Sequence, residues 1–256
     1  MNGRDRSVPQ NNVKYRIVDG RSMSEGLRIN KFISDSGVAS RRAADRMVEE
    51  GRVTVNGRIA TLGDRIGPGD RVEVDGKPIS LETDRIIIAF NKPRGITCTA
   101  DRDDPTNIID FIGYPKRIYT IGRLDKDSEG LILLTNDGEL ANQVMRSRAE
   151  HEKEYVVTVD RKVTDSFLAQ MSSGVQILGR MTKPCETERV SDKCFRIVLR
   201  QGLNRQIRRM CGNLGYTVVT LRRIRIMNVE LGDLPVGKYR ELSEDEAELL
   251  YDGIVS

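Results

Sequence analysis

The sequence predicts an α+β protein in which a small domain precedes a larger domain with a mixed, mainly antiparallel sheet. Its 256 residues are enough for two hydrophobic cores. No segment repeats with a period of roughly 20 to 50 residues, which excludes a repeat architecture. The predicted helices are too few to alternate with the strands, as a parallel α/β sheet would require.

The amino-terminal third is predicted to be a polar tail followed by the small domain. Residues 1–26 show no sustained periodicity, and we expect a mobile tail there. In residues 27–84 apolar residues first recur at helical spacing, and Ser40 can cap a second helix. Asn56-Gly57 then lies between two strand-like runs, which is typical of a two-residue hairpin turn. We therefore expect two helices and a small sheet in this domain.

Two arginines lie in the first turn of that second helix. Arg41 and Arg42 directly follow Ser40, at a position where the helix dipole disfavours positive charge. A negative partner would compensate, and a helix amino terminus with added arginines is a good phosphate site. We predict that Arg41 and Arg42 contact the phosphates of a nucleic acid. The alternative is an ordinary α+β module with a basic surface.

Residues 85–256 form the larger predicted domain, which begins with a buried apolar strand. Apolar or alternating runs predict its strands, and apolar residues at helical spacing predict its helices. The predicted strands are residues 86–90, 117–121, 131–135, 155–159 and 195–200, with a strand-rich segment at 216–231. The predicted helices are residues 139–145, 164–171, 205–214 and 244–251.

Charged residues are unevenly distributed along this domain. The net charge is only +4, but no Asp or Glu occurs between Lys193 and Val229. That segment contains nine positively charged residues: Lys193, Arg196, Arg200, Arg205, Arg208, Arg209, Arg222, Arg223 and Arg225. A run of this length repels itself unless it meets negative charge, and phosphates would relieve the repulsion. We therefore predict a nucleic-acid partner and a cleft lined by this segment.

Composition and motifs exclude several other classes. No apolar stretch approaches the roughly 18 residues of a membrane-spanning helix, and the polar start lacks the apolar core of a signal peptide. We expect a cytoplasmic protein with no membrane contact. The four cysteines form no C-x-x-C pair and the single histidine, His151, completes no familiar zinc spacing, so we expect reduced thiols and no metal. The sequence contains no phosphate-binding loop of the G-x-x-x-x-G-K-[ST] type, which disfavours a nucleotide-driven motor or a GTPase.

The chemistry is predicted to lie in the turn between the strands at 117–121 and 131–135. There a carboxylate follows an arginine in Gly122-Arg123-Leu124-Asp125. Asp125, Asp127 and Glu129 imitate the start of a calcium loop, but Asn136 stands where such a loop needs a bidentate glutamate. Paired carboxylates could also hydrolyse glycosides, although a chain with 5% aromatic residues and no tryptophan offers little surface for docking sugars.

These residues resemble the signature of the RNA pseudouridine synthases, in the branch that acts on ribosomal RNA. Three further motifs occur in the order and at the approximate separations of that branch. They are Asn91-Lys92-Pro93-Arg94-Gly95, His151-Glu152-Lys153-Glu154-Tyr155 and Gly202-Leu203-Asn204-Arg205-Gln206-Ile207-Arg208-Arg209-Met210. The last two most resemble the F-type enzymes of large-subunit rRNA. Residues 27–84 resemble the small RNA-binding domain named after ribosomal protein S-four, and the resemblance implies the pseudouridine synthase fold for residues 85–256.

The resemblance also implies roles for individual residues. Asp125 corresponds to the catalytic aspartate, and Arg208 to its cationic partner across the cleft, which favours the charged form of a carboxylate in a dry pocket. Tyr155 corresponds to the platform on which the flipped uridine stacks, and Leu221 to the apolar residue on the other face of the base. Arg123 is well placed to fill the gap left by the flipped nucleotide or to hold its phosphate. The other predicted RNA-binding residues are Asn204, Arg205, Arg209, Arg222 and Arg223.

The residues alone leave other interpretations open. Tyr155 could equally be a core tyrosine of a strand, Arg208 a phosphate contact, and Arg123 part of a salt bridge on the turn. A ribosome-assembly or RNA-chaperone protein without catalysis would show the same basic surfaces. Another RNA-modifying enzyme, such as a methyltransferase, is disfavoured because no Gly-rich strand-to-helix turn is followed by an acidic residue about 20 positions later.

The reaction implied by the resemblance is the isomerisation of uridine to pseudouridine in large-subunit rRNA, with a tRNA anticodon uridine as a candidate second substrate. No metal, cofactor or external group is needed. One ionised carboxylate could attack covalently or take a sugar proton, and the sequence does not choose between these routes. A base in structured RNA must be flipped out to be reached. We expect a monomer, since no spare apolar stripe is visible.

Overall fold

Residues 26–145 and 151–255 are described in the computed structural model. The predicted tail, residues 1–26, lies outside the described residues except for Gly26. Within the described part, no helix is long and apolar enough to cross a membrane.

Two short helices and six short strands form the amino-terminal part of the structure. In chain order they are β1 (Leu27–Arg28), α1 (Ile29–Asp35), α2 (Arg41–Glu49), β2 (Val53–Val55), β3 (Arg58–Ile59), β4 (Arg65–Ile66), β5 (Val72–Val74) and β6 (Lys77–Ile79). The Ser40 side chain accepts a hydrogen bond from the Ala43 amide, which confirms the predicted cap of α2. Strands β3-β2-β5-β6 form one antiparallel sheet, and β1 pairs with β4. Ile29, Phe32, Ile33 and Val48 belong to a hydrophobic cluster of this part alone.

The larger part of the chain contains the main sheet and the remaining helices. Its elements are β7 (Ile87–Lys92), α3 (Ile108–Ile112), β8 (Tyr119–Ile121), β9 (Glu129–Thr135), α4 (Gly138–Met145), β10 (Lys153–Val159), α5 (Asp165–Ser173), β11 (Gln176–Ile177), β12 (Arg180–Met181), β13 (Glu186–Ser191), β14 (Cys194–Leu199), α6 (Gln206–Asn213), β15 (Val218–Ile226), β16 (Val229–Glu230), β17 (Tyr239–Glu241) and α7 (Glu244–Val255).

The predicted α+β class with a mixed, mainly antiparallel sheet is confirmed. The main sheet has nine described strands in the order β13-β14-β10-β15-β9-β7-β17, with β16 beside β15 and β8 beside β9. Among these described strands, all the pairs are antiparallel except β9 with β15, which are parallel. The parallel pair joins two antiparallel half-sheets at the middle of the molecule.

Gly130 makes this parallel contact possible. It pairs with Arg223 of β15, and a Cβ on Gly130 would lie 2.2 Å from the Arg223 carbonyl oxygen and 2.8 Å from its amide nitrogen. Its φ of +100° lies in the region that side chains disfavour. Only glycine lets the two backbones approach this closely.

Helices cover the sheet in two groups, one on each half. Helices α4 and α7 contribute to the cluster that covers β7 and β9, through Leu140, Val144 and Leu250. Helices α5 and α6 contribute Phe167 and Met210 to the cluster that covers β10, β14 and β15. Thr164 accepts a hydrogen bond from the Phe167 amide at 3.1 Å, so the predicted cap of α5 is also confirmed.

The elements that the sequence failed to predict are short or polar. Strand β13 is mostly exposed, because it is a sheet edge that shows no alternating apolar pattern. Helix α3 has only five residues and follows a capping Asn107 in a charged loop. Leu27 and Arg28, predicted as the start of the first helix, instead pair with β4.

We expect the double substitution Arg41→Glu and Arg42→Glu to weaken RNA binding and to flatten its salt dependence. Both arginines are exposed at the amino terminus of α2, where the first turn carries no acidic residue. The slope of log K against log salt falls by about one unit for every phosphate that the protein no longer neutralises. Filter binding across a salt titration measures this slope. Lys77→Glu, on the edge strand β6 of the same domain, is the control; an unchanged slope in the double variant would remove α2 from the RNA interface.

Candidate active site

One cavity of about 490 Å³ opens at the junction of the two half-sheets. Residues distant in sequence line it: Arg123 and Asp125 before β9, Lys153 and Tyr155 on β10, Asn204 and Arg205 before α6, and Leu221 and Arg223 on β15. The structure therefore brings together most of the site residues predicted from the sequence. Arg41 and Arg42 belong to the small domain and do not line this cavity.

Asp125 lies on the turn between β8 and β9, and several backbone contacts fix that turn. The Ser128 amide donates to the Asp125 carbonyl at 3.0 Å, and the Gly95 amide donates to the Lys126 carbonyl at 2.8 Å. The Leu124 amide, one residue before Asp125, donates to the buried Sγ of Cys98 at 3.3 Å. The carboxylate itself retains 31% of its side-chain exposure, so a bound substrate could reach it.

Arg205 forms an ion pair with Asp125, and Arg208, the partner predicted from the sequence, also interacts electrostatically with that carboxylate, so its catalytic role stays a prediction. The Arg205 Nη1 lies 3.7 Å from a carboxylate oxygen of Asp125 and 3.7 Å from one of Asp127. Arg205 immediately precedes α6 and has a left-handed backbone with φ of +50°, which few non-glycine residues adopt. Such outliers cluster at functional sites.

Arg208 also holds the backbone of the aspartate turn. Its Nη2 donates to the Asp127 carbonyl at 3.1 Å and to the Ser128 hydroxyl at 3.4 Å, and its Nη1 donates to the Val218 carbonyl at 3.3 Å. Burial and the neighbouring charge of Arg205 lower the pKa of Arg208. Within the described structure its Nε is buried without a hydrogen-bond partner. Arg208 thus connects α6, β15 and the turn that carries Asp125.

Tyr155 and Leu221 lie on adjacent strands behind the turn. The half-buried Tyr155 ring packs against the clusters of both half-sheets, whereas Leu221 is buried at 6% exposure. Both residues line the cavity, so an apolar and an aromatic surface face the same space as Asp125. The pair can therefore receive a planar base.

The other predicted RNA-binding residues differ in their surroundings. Arg123 and Arg222 are exposed, and Arg209 is exposed while donating to the Asn204 carbonyl and side-chain oxygens. Arg223 is the exception, because it is only 3% exposed and its Nε donates to the Leu131 carbonyl at 2.7 Å. The Arg223 side chain reaches across the parallel junction and lines the cavity, and its role in RNA binding stays a prediction.

Acidic residues neutralise more of the long basic segment than its sequence suggests. Strands β10 and β13 place acidic residues opposite β14 and β15, so Arg196, Arg200 and Arg225 form ion pairs with Glu152, Glu154, Glu186 and Glu188. Hydrogen bonds from these arginines lower the pKa values of Glu152 and Glu154. Outside this set of ion pairs, Arg123 and Arg205 are exposed arginines that line the cavity.

Comparison with known proteins agrees with this arrangement. The family model described as RNA pseudouridylate synthase matches residues 86–213, and that of the S4 domain matches residues 27–72. The chain is 52% identical over 222 residues to the dual-specificity RNA pseudouridine synthase RluF of Escherichia coli strain K12, covering 86% of this chain and 77% of the relative.

The chain belongs to the RNA pseudouridylate synthase family. It is also 36% identical to the ribosomal large subunit pseudouridine synthase B of Bacillus subtilis strain 168, over 87% of this chain and 95% of that protein. A crystal structure of a pseudouridylate synthase superposes with a TM-score of 0.65 at 31% identity, covering 88% of this chain and all of that one. The predicted pseudouridine synthase fold and isomerase class are confirmed, as is RNA as the partner.

Sequence reasoning missed two residues that shape the site of this synthase. Gly130 brings β15 against the aspartate turn, and Cys98 accepts a hydrogen bond from the residue before Asp125. The positive φ of Gly130 could have been suspected from a glycine directly before a buried strand. No sequence pattern indicated Cys98, because its partner is a backbone amide 26 positions away.

We expect Arg208→Ala to reduce turnover more than it reduces stability. The substitution removes the hydrogen bonds that hold the aspartate turn, which should cost about 1–3 kcal/mol of unfolding free energy, while Asp125 loses its fixed position. Urea denaturation and single-turnover kinetics measure the two effects. Arg189→Ala is the control, because this exposed arginine of β13 binds Asp165 and does not line the cavity. Wild-type turnover in Arg208→Ala would exclude a role in the reaction.

Proposed function

We propose that this synthase isomerises specific uridines of large-subunit rRNA to pseudouridine, with Asp125 as the catalytic residue. Two kinds of support exist for the substrate. The names of the relatives from Escherichia coli and Bacillus subtilis specify a dual-specificity RNA enzyme and a large-subunit enzyme, and the S4 match supplies an RNA-binding domain. A tRNA anticodon uridine is our candidate for the second substrate.

The observation that carries the proposal is the convergence of Asp125, Tyr155, Leu221 and Arg205 on one cavity. They come from the β8–β9 turn, from β10, from β15 and from the start of α6. A carboxylate, an aromatic ring, an apolar wall and a cation in one space are the groups that a flipped uridine needs. The flip itself costs a few kcal/mol, and stacking on a side chain offsets part of that cost.

The reaction needs one bond broken and one bond made at the same anomeric carbon. The bond from the ribose C1′ to uracil N1 breaks, the base turns within the cavity, and uracil C5 bonds to C1′ before losing its hydrogen. Asp125 either attacks covalently or removes a sugar proton, and both routes need its ionised form. The guanidinium of Arg205 lies 3.7 Å from the carboxylate.

Arg205 also lies within ion-pair distance of Asp127, the second carboxylate of the turn. The Arg205 side chain is 41% exposed and that of Asp127 is 59% exposed, so in the free protein water screens the interactions of Arg205 with Asp125 and with Asp127. When RNA covers the cavity mouth, water leaves and the Arg205–Asp125 interaction strengthens. Substrate binding thereby prepares the carboxylate for catalysis.

The proposal includes the division of labour along the chain. We assign RNA binding to residues 27–84, through Arg41 and Arg42, and the reaction to residues 85–256. Arg123, which is exposed at the cavity, would hold a phosphate beside the flipped nucleotide, and exposed Arg222 of β15, which does not line the cavity, is a second candidate RNA contact. We expect a monomer that works without added metal or cofactor.

We expect wild-type protein to release tritium from large-subunit rRNA labelled at uridine C5, and Asp125→Asn to release none. The C5 hydrogen is lost only if C5 forms the new bond, so release reports the reaction itself. Asp127→Asn is the control, because it removes a neighbouring carboxylate of the same turn that lies further into solvent. That control should retain most of its turnover.

Two outcomes of the tritium experiment would contradict different parts of the proposal. Equal tritium release by wild type and Asp125→Asn would exclude Asp125 as the catalytic residue. Tight RNA binding by wild type without any release, repeated on a panel of rRNA fragments and tRNAs, would favour an assembly factor over an enzyme.

A further inference from the structure

Lys153 occupies the same cavity as Asp125 and has no role in the reaction described so far. It lies on β10 two residues before Tyr155, and alternate residues of a strand face the same side. Both side chains line the cavity. Two residues of strand span about 7 Å, which places Lys153 beside the edge of a base stacked on Tyr155 rather than over its face.

The Lys153 ammonium lacks a compensating carboxylate. Its Nζ donates to the His151 carbonyl at 2.9 Å, and no carboxylate among the described residues lies within 4 Å of it. Glu152 and Glu154, its two neighbours on the strand, bind Arg196, Arg200 and Arg225 instead. An ammonium has three donors, so two remain available to a ligand.

Arg223 is a second cation with an unused donor in this part of the cavity. Its Nη2 is buried and has no hydrogen-bond partner in the described structure. Burial and the Arg223 charge together lower the pKa of Lys153 to about 8. Two partly desolvated cations without an anion cost folding free energy, and an arrangement that costs stability is expected where it serves a function.

We propose that Lys153, assisted by Arg223, binds the carbonyl edge of the flipped uracil and stabilises the negative charge that develops there. This proposal rests on the proposed function. When the C1′–N1 bond breaks, its electron pair moves onto the uracil ring and is shared by N1 and the two carbonyl oxygens. Fixed cations in a cavity that excludes water stabilise such charge strongly. The same pair then forms the C5–C1′ bond, C5 gives up its proton to solvent, and N1 takes up a proton, so the atoms balance without a further reactant.

The position of Lys153 favours the base over the RNA backbone as its ligand. Arg123, Arg205 and Arg222 are exposed and can reach phosphates at the surface. Lys153 and Arg223 lie further inside, and Arg223 is almost fully buried. A phosphate would have to enter the cavity with the base to reach them. The cations are thus divided between phosphate-binding arginines outside and a base-binding pair inside.

The test compares Lys153→Met with wild type under single-turnover conditions at saturating rRNA. Methionine retains much of the length of the side chain and removes its charge. We expect the rate of pseudouridine formation to fall on the order of 10²-fold, the effect of losing one donor to a developing oxyanion. RNA affinity should change little, because phosphate contacts dominate it. Lys162→Met, which removes an exposed charge before α5, is the control and should be neutral.

Thermal unfolding distinguishes this role from a structural one. A lysine whose pKa is lowered on folding destabilises the protein below that pKa, and the cost disappears as pH rises towards the pKa of the unfolded chain. At pH 7 we therefore expect Lys153→Met to unfold at the same temperature as wild type or higher. A fall in both rate and unfolding temperature would assign Lys153 to packing and overturn the proposal.

The pH dependence of the rate provides a second readout. The ionisable groups that interact with Lys153 are Arg223 from β15 and His151, two residues before it in the chain, and burial lowers the pKa of His151 below 6.5. Loss of the ammonium should therefore lower the wild-type rate as pH rises through about 8. A wild-type rate in Lys153→Met, or a loss of RNA affinity alone, would overturn the proposal. Inactive wild-type protein would instead refute the proposed function itself.

Discussion

The arrangement of the site depends on one backbone contact, the parallel pairing of β9 with β15 at Gly130. The nine-stranded sheet consists of two antiparallel halves, and among the described residues this is the only strand pairing between them. Because Gly130 has no side chain, the Arg223 backbone can lie against it. Strand β15 carries Leu221 and Arg223, and β9 begins directly after the turn of Asp125. The same contact that closes the sheet therefore assembles the cavity.

Charge pairing within the sheet then determines which arginines remain for RNA. Glu154 is far from Arg225 in sequence but lies directly opposite it in the strand register, and its carboxylate pairs with both Arg225 and Arg196. Surface ion pairs of this kind contribute little stability individually, yet they neutralise these arginines in the free protein. Arg123, Lys153 and Arg223 line the cavity and belong to none of these pairs, so part of the electrostatic attraction for a polyanion is directed to the cavity.

The sequence predicted most of the fold and the members of the site, but not how those members contact one another. Apolar runs such as Leu131–Leu134 and caps such as Thr164 are local signals, and the structure confirms them. Strand β13 was missed because edge strands need no apolar face. The ion pair between Arg205 and Asp125 and the burial of Arg223 could not be predicted from the sequence, because both depend on how distant elements pack. Arg205 and Arg208 are one helical turn apart, and only the position of α6 decides how each arginine approaches the carboxylate.

Several buried polar groups near the site lower the stability of the free protein, and their positions indicate where a bound substrate would contribute binding energy. Arg208 and Arg223 each retain a buried donor without a partner in the described structure, and Lys92 and Lys153 both have lowered pKa values caused first by burial. An unpaired buried donor costs about 1–3 kcal/mol. A core optimised for stability would replace such groups with apolar side chains. Lys153 and Arg223 line the cavity, so the free protein holds polar groups there that a polar ligand can satisfy, and binding recovers free energy lost on folding.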